Sequence, residues 1–295
     1  PGARADIGTV GARLPRAARL AGARRHAVAA RRPGIAFAAH AGAVAEAARS
    51  AGVTAVARVG SARVGVAVGG AAGVRAQIAY GGVASSGPPR HAEQLVPAID
   101  TALHGAGVVM SDLDAIAVGI GPGMFTGLRV GIVTATVLAQ ALDLPIVAVP
   151  SLDLLAFPLR HTARDLIVPV IDARRAEVYW ASYAPVPGGV ERVDDDDIAA
   201  PSAVAAELAA RGRHALVCGD GAIHYAAEFA AVDHVELAGP DHASPDLAAL
   251  LALGALKFEH GEVLAPSAVV PRYLRQSDAE INASPRGTTV REVTR

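Results

Sequence analysis

Gly119-Ile120-Gly121-Pro122-Gly123-Met124-Phe125-Thr126-Gly127-Leu128-Arg129-Val130-Gly131 is the stretch on which the fold of this chain turns. Before it, Asp114 to Ile120 is a β-rich apolar run that reads as a buried strand. After the glycine loop, Phe125 to Leu142 reads as a long helix. A strand, a glycine-rich turn and a helix in that order form the joint of an α/β sheet. Free backbone N–H groups at such a joint favour anions. The loop is not a Walker A loop, because the Gly-Lys-Ser/Thr ending is missing. It is not the dinucleotide fingerprint either, because Met124 stands where the third glycine falls. As a phosphate signal it is weak, and a tight turn that needs glycine explains it equally well. The helix carries a second pattern. Gly127, Gly131, Ala135 and Ala139 lie four apart and make one stripe of small residues. Each of the two glycines costs a soluble helix about 1 kcal/mol relative to alanine, so close packing must offset them. Periodicity leaves open whether the close neighbour is a partner protein or the same domain.

Outward from this joint, composition sets bounds. The chain has 295 residues, enough for one large or two small domains. Apolar residues make up 52% and aromatics only 4%, so small aliphatic side chains must fill the core. A formal net charge of −1 supplies no global attraction to nucleic acid. Cys218 is the only cysteine, which excludes an internal disulfide and a multi-cysteine zinc site and suits a reducing, cytoplasmic setting. No secretory leader and no bilayer-spanning run is expected. The segment 1–60 differs from the rest: it is rich in arginine and poor in periodicity. It reads as a disordered extension or a product of a wrong start or frame, ahead of the alternative of a basic arm or an organellar transit segment.

From Ser61 the patterns sharpen. Arg63 to Val68 and Val74 to Tyr80 read as a hairpin around Gly69-Gly70. His91 to His104 reads as a helix with Leu95, Ile99 and Leu103 on one face, and Pro97 is expected to kink it or delay its start. Pro145 to Val149 is a short strand, and Ser151 reads as an N-cap. A second round follows: strands at Leu166 to Ile171, Glu177 to Tyr183 and His214 to Cys218, and helices at Ser202 to Ala210, Gly221 to Phe229 and Leu247 to Phe258. The acidic run Asp194 to Asp197 reads as a solvated loop. Two similar α/β halves are expected, at 61–158 and 159–281, with a mobile tail at 282–295.

Chemistry-bearing constellations are sparse. Ten histidines are scattered with no i, i+4 pair, and neither His-Glu-x-x-His nor Cys-x-x-Cys occurs. Ser151 lacks a Gly-x-Ser-x-Gly elbow. Asp172 ends a strand beside Arg174 and Arg175, and Gly219-Asp220-Gly221 follows another. Each reads as a cleft-lining turn or as an ordinary ion-paired or Asp-Gly turn.

Five segments together resemble one family. Gly121 to Gly131 is similar to the Gly-Pro-Gly-Ser-Phe-Thr-Gly-Leu/Val-Arg-Ile-Gly signature of the TsaB (YeaZ) family. Asp172-Ala173-Arg174-Arg175-Ala176-Glu177-Val178-Tyr179 resembles its Asp-Ala-Arg-x-x-Glu-Val-Tyr strand, and Gly219-Asp220-Gly221 its Gly-Asp-Gly turn. Pro271-Arg272-Tyr273-Leu274-Arg275 with Asp278-Ala279 resembles its C-terminal motif, and His91-Ala92-Glu93-Gln94-Leu95 the start of its first helix. The resemblance runs from about Ser61 to Asp278. It implies the α/β fold of actin, Hsp70 and sugar kinases (ASKHA), with two ribonuclease-H-like subdomains. It implies a non-catalytic subunit that pairs with and activates TsaD, which transfers threonylcarbamoyl to N6 of adenosine 37 in tRNAs reading ANN codons. TsaE is implied as a further partner, with self-pairing when TsaD is absent, tRNA met only through the complex, and no membrane. No cofactor is implied for this chain alone, ATP and metal being handled by partner subunits. The implied pairing surface comprises His91, Leu95, Phe125, Gly127, Leu128, Gly131 and Ala135. Gly121, Gly123, Thr126, Arg129, Asp172, Gly219 and Asp220 are implied near the loops where the fold holds nucleotides. One departure stands out: the family opens on a strand ending Asp-Thr, and Ala55-Val56-Ala57-Arg58-Val59-Gly60 has no aspartate. That puts nucleotide binding at the first loop in doubt and leaves Val53 to Val59 at most an edge position in the sheet. The competing reading is a small-molecule kinase or ATPase of the same fold, which needs a catalytic aspartate facing the cleft. A metallopeptidase is a third.

Overall fold

The structure is a computed structural model and describes residues 53–59, 63–70, 72–80 and 91–274. Segment 1–52 and the tail expected from 282 lie outside the described residues. Strands β1 (Val53–Val59), β2 (Arg63–Gly70), β3 (Gly73–Tyr80), β4 (Ala115–Gly119) and β5 (Ile146–Val149) form the first sheet, in the order β3-β2-β1-β4-β5. β1, β2 and β3 pair antiparallel, and β1, β4 and β5 pair parallel. β1 is therefore the middle strand, not an edge. The boundary expected at 60/61 falls inside the first hairpin. The missing aspartate changes what this strand can bind without changing its place in the sheet, because backbone pairing is indifferent to that side chain.

Alternation along the strands builds two cores. Val66, Val68, Ile116 and Val118 face α1 (His91–Ala106) and α2 (Phe125–Leu142). Ala67, Ala115 and Ala117 face the other way, onto α7 (Leu247–Glu259). Successive side chains on a strand point to opposite faces, so the larger residues sort to one side and the alanines to the other. The alanine face lets α7 lie close; a Cβ on Gly65 would come within 2.9 Å of Leu247. Asp246 caps α7 by accepting the Ala248 N–H at 2.9 Å. α7 thus packs on the first sheet, although its position in the chain suggested the second half. Helix α1 runs unbroken from His91 despite Pro97. Pro97 sits on the exposed face, and the Thr101 hydroxyl donates to its carbonyl at 2.8 Å.

The second sheet repeats the plan. β6 (Leu166–Arg174) pairs antiparallel with β7 (Glu177–Trp180) and parallel with β11 (Ala215–Cys218), which pairs parallel with β12 (Val235–Leu237). β10 (Asp197–Ala199) closes one edge, and β8 (Tyr183–Val186) with β9 (Gly189–Arg192) forms a hairpin against β6. α3 (Ser151–Ala156) packs on β6, and α4 (Pro201–Arg211) buries Val204 and Leu208 against this sheet. Three expectations change here. Ser151 is the first helical residue, after the cap position Pro150, and makes no capping bond. The helix expected at Gly221 to Phe229 is two short ones, α5 (Asp220–His224) and α6 (Ala226–Ala230), separated at Tyr225. The run Asp194 to Asp197 alternates. Asp194 pairs with Arg211 and the Asp196 side chain is buried against arginines, while Asp195 and Asp197 are exposed.

Candidate functional site

Two features collect the residues singled out by sequence: a cleft between the halves and the outer face of α1 and α2. The cleft forms where the loops after β4, β6 and β11 converge. Gly121 has φ +99° and its peptide bond to Pro122 is cis; its carbonyl accepts the Ser151 N–H at 2.8 Å. Across the cleft, Gly219 has φ +103°, and a Cβ there would stand 2.1 Å from the Val170 carbonyl oxygen. No other residue type fits, and this turn carries Asp220 over the end of β6. Asp220 Oδ1 accepts the Asp172 N–H at 3.0 Å, and Asp172 Oδ1 accepts the Arg174 N–H at 2.8 Å. The Arg174 guanidinium lies 3.3 Å from Asp172 Oδ2. Burial pushes the Asp220 carboxyl above the usual carboxylate range. The Asp172 charge adds to this, against hydrogen bonds from the Asp172 and Gly221 amides.

The cavity is about 480 Å³ counting the space open to solvent, and the part a water's centre can reach is about 30 Å³. It is lined by Pro122, Gly123, Leu128, Ser151, Asp172 and Asp220, among others. As it stands this is room for about one or two waters. Its polar side chains are two carboxylates and a hydroxyl, which repel a polyphosphate unless a cation intervenes. Among the described residues, no group of three His, Cys, Asp or Glu side chains is placed to hold a metal ion. Thr126 and Arg129, expected near nucleotide, do not line this cleft. Arg129 instead lies over the Phe125 ring at 3.8 Å and donates from Nε to the Tyr273 hydroxyl at 3.0 Å.

The helix face also differs from the expected set. Leu95, Leu128 and Ala135 are 3%, 7% and 0% exposed and belong to the first sheet's core. They cannot also cover a partner. The small-residue stripe is thus divided. Ala135 and Ala139 pack inside; Gly131 is buried too, but a Cβ on it would meet no atom within 4 Å, so there is room above it. Gly127 is buried, and the side chain of His91 lies outside the described residues. Phe125 stays on the outer face, joined by residues that the sequence reading passed over: Val96, Val133 and Val137 are each about 60% exposed. The signal was present, since α2 carries Val133 and Val137 among Thr126, Arg129 and Gln140 on the side away from its sheet. Large apolar side chains left on the outer side of a helix point to a contact there. By length and composition alone α2 meets the criterion for a membrane-crossing helix, a criterion that core helices also meet. Its inner side is nevertheless committed to the sheet through Leu128, Ile132, Ala135 and Ala139.

Comparison with known proteins agrees with this architecture. Residues 72–283 match the family model described as TsaD: tRNA N6-adenosine threonylcarbamoyltransferase. An uncharacterised protein of Mycobacterium tuberculosis is 38% identical over 190 residues, 64% of this chain and 77% of that one. The tRNA threonylcarbamoyladenosine biosynthesis protein TsaB of Bacillus subtilis is 42% identical over 106 residues, 36% of this chain and 46% of that one. The solved structure of YeaZ from Pseudomonas aeruginosa superposes with a TM-score of 0.62 at 28% identity, covering 75% of this chain and 99% of that one. The paired ribonuclease-H-like sheets and the cleft between them define a protein of the actin and sugar-kinase class. Within that class, the chain belongs to the TsaB (YeaZ) family.

Proposed function

We propose that this chain is a non-catalytic subunit of threonylcarbamoyladenosine synthesis in tRNA, and that it pairs with a TsaD-type transferase through the outer face of α1 and α2. The observation that carries this reading is a helix that exposes large apolar side chains on the side away from its sheet. One face is buried in its own sheet, and the other presents Phe125, Val133 and Val137 to solvent, with open space above Gly131. Exposed apolar surface of that kind marks protein contacts. Val96 on α1 is exposed as well, so a partner helix pair laid alongside both helices would close a bundle.

The reading includes no ligand held by this chain alone, with ATP and metal handled by partner subunits. TsaE joins the complex, tRNA is met through it, a second copy occupies the face when TsaD is absent, and the setting is the cytoplasm. The narrow, carboxylate-lined cleft favours an accessory role over the kinase or ATPase alternative. Co-purification with the cognate TsaD tests the pairing. Gly131→Leu fills the open space above α2 and abolishes recovery of the complex while the variant still folds. Undiminished recovery overturns the proposed face.

A further inference from the structure

The motif Pro271-Arg272-Tyr273-Leu274 is not explained by pairing through the two helices alone. This short strap crosses between the halves and touches both. The Arg272 N–H donates to the Ile120 carbonyl at 2.8 Å, on the loop that leads into α2. The Arg272 carbonyl lies against Gly121, where a Cβ would come within 3.0 Å of it. The Arg272 side chain reaches the other way. Its Nε stands 2.8 Å from Asp196 Oδ2, at ion-pair distance though outside hydrogen-bonding geometry. The Asp196 side chain is fully buried, and its second oxygen is held by Arg192, which also grips Asp153 on α3. Tyr183 donates to the same Asp153 oxygen at 2.6 Å. Only the Asp196 carboxylate is fully buried in this set, and its two arginines, Arg192 and Arg272, are partly exposed, so losing Arg272 loosens the seating of Asp196 without leaving it unpaired.

The next residue acts on the helix. The Tyr273 ring lies 5.1 Å from Phe125, and its hydroxyl accepts from Arg129 Nε, whose guanidinium covers the Phe125 ring. Phe125 and Arg129 are one turn apart at the start of α2. Adjacent strap residues therefore bind the buried acid of the second half and the first turn of the outward-facing helix of the first.

We propose that the strap is a conformational tie: Arg272 and Tyr273 couple the seating of the Asp196 loop in the second half to the order of the first turn of α2. The proposal rests on the pairing reading only for the meaning of that turn as part of a docking face. The coupling itself is a property of the chain alone. Its consequence for pairing is that a change at the Asp196 loop reaches the docking helix through Arg272 and Tyr273, and docking reaches that loop by the same route.

Hydrogen–deuterium exchange on the full chain, without partner, tests it. Arg272 and Tyr273 are 37% and 40% exposed, and Asp196 keeps Arg192 when Arg272 is replaced, so both variants below retain the fold. Arg272→Gln, whose side chain does not contact α2, raises exchange in peptides covering the first two turns of α2 by about fivefold, while α4 is unchanged. Tyr273→Ala raises exchange at the Asp194–Ala199 segment as well as in α2, and Tyr273→Phe, which keeps the ring, has a smaller effect at both. If Arg272→Gln alters only the Asp196 loop and Tyr273→Ala only α2, the two contacts are independent and the tie is refuted. Because no partner is present, loss of pairing in a separate assay leaves this result standing.

Discussion

The two halves of the molecule share a strand plan and diverge in what they place upon it. β2, β1, β4 and β5 stand in the same order and sense as β7, β6, β11 and β12. In the second half the central strand β6 carries Asp172, and the turn after β11 carries Asp220 above it. In the first half the corresponding strand β1 is Val-Thr-Ala-Val-Ala-Arg-Val, with no acid. The turn after β4 is glycine and proline, and the helix behind it presents valines to solvent. One half has kept charge at its cleft, and the other has moved its chemical character to its back. A repeated scaffold fixes where a site lies without fixing its content, so function here has to be read from side chains.

Substitutions that break this division come first in size. Gly219→Ala combines a left-handed backbone position with a Cβ driven into the Val170 carbonyl. It costs roughly 3–5 kcal/mol and collapses the acidic turn, seen as a large fall in the urea midpoint of unfolding. Leu95→Ala, on the inner face of α1, costs about 2–4 kcal/mol, whereas Val96→Ala beside it on the outer face changes chemical stability by less than about 0.5 kcal/mol. That pair of midpoints separates the two faces of one helix.

Gly131→Ala sharpens the comparison from the other direction. The added methyl meets nothing, and alanine is the better helix former, so stability rises by about 1 kcal/mol and Tm by roughly 2–4 °C. A calorimetric decrease in Tm means that the site is internally packed after all. A glycine kept where alanine is more stable in the isolated chain is expected where a neighbouring backbone must come close.

The smallest effect belongs to the cleft. Because burial raises the Asp220 carboxyl in the folded state, its ionised form destabilises the native chain above that raised value, and the penalty fades as pH falls through it. Asp220→Asn retains an acceptor for the Asp172 N–H and stabilises slightly at pH 8. The difference from wild type narrows toward pH 5. A gap that widens on acidification contradicts the assignment of burial as the cause.

Much of the fold was legible. The joint at Gly119 to Leu142, the first hairpin and the strand at Leu166 follow from apolar runs punctuated by glycine, which act locally. What was not legible depends on who stands opposite. β1 looked expendable because its family aspartate is absent, yet its place in the sheet comes from backbone pairing with β2 and β4. α7 lies late in the chain and returns to the first sheet, a choice set by the alanine face of β2 and β4. At the site, the small-residue stripe was visible, but not that Ala135 and Ala139 turn inward while Val133 and Val137 turn outward. Arg272 and Tyr273 were visible as a motif, and their partners Asp196 and Phe125 only in three dimensions.

The most direct test of the central claim is the affinity of the chain for cognate TsaD, measured by isothermal titration with Val133→Asp, whose side chain is 58% exposed in the free chain. A charge buried in an apolar contact is strongly disfavoured, so the account expects at least about a hundredfold loss of affinity at unchanged Tm. An exposed change on the other half, Asp241→Ala, leaves affinity as in wild type. Equal affinity for wild type and Val133→Asp contradicts the assignment of the outer face of α2 as the pairing surface.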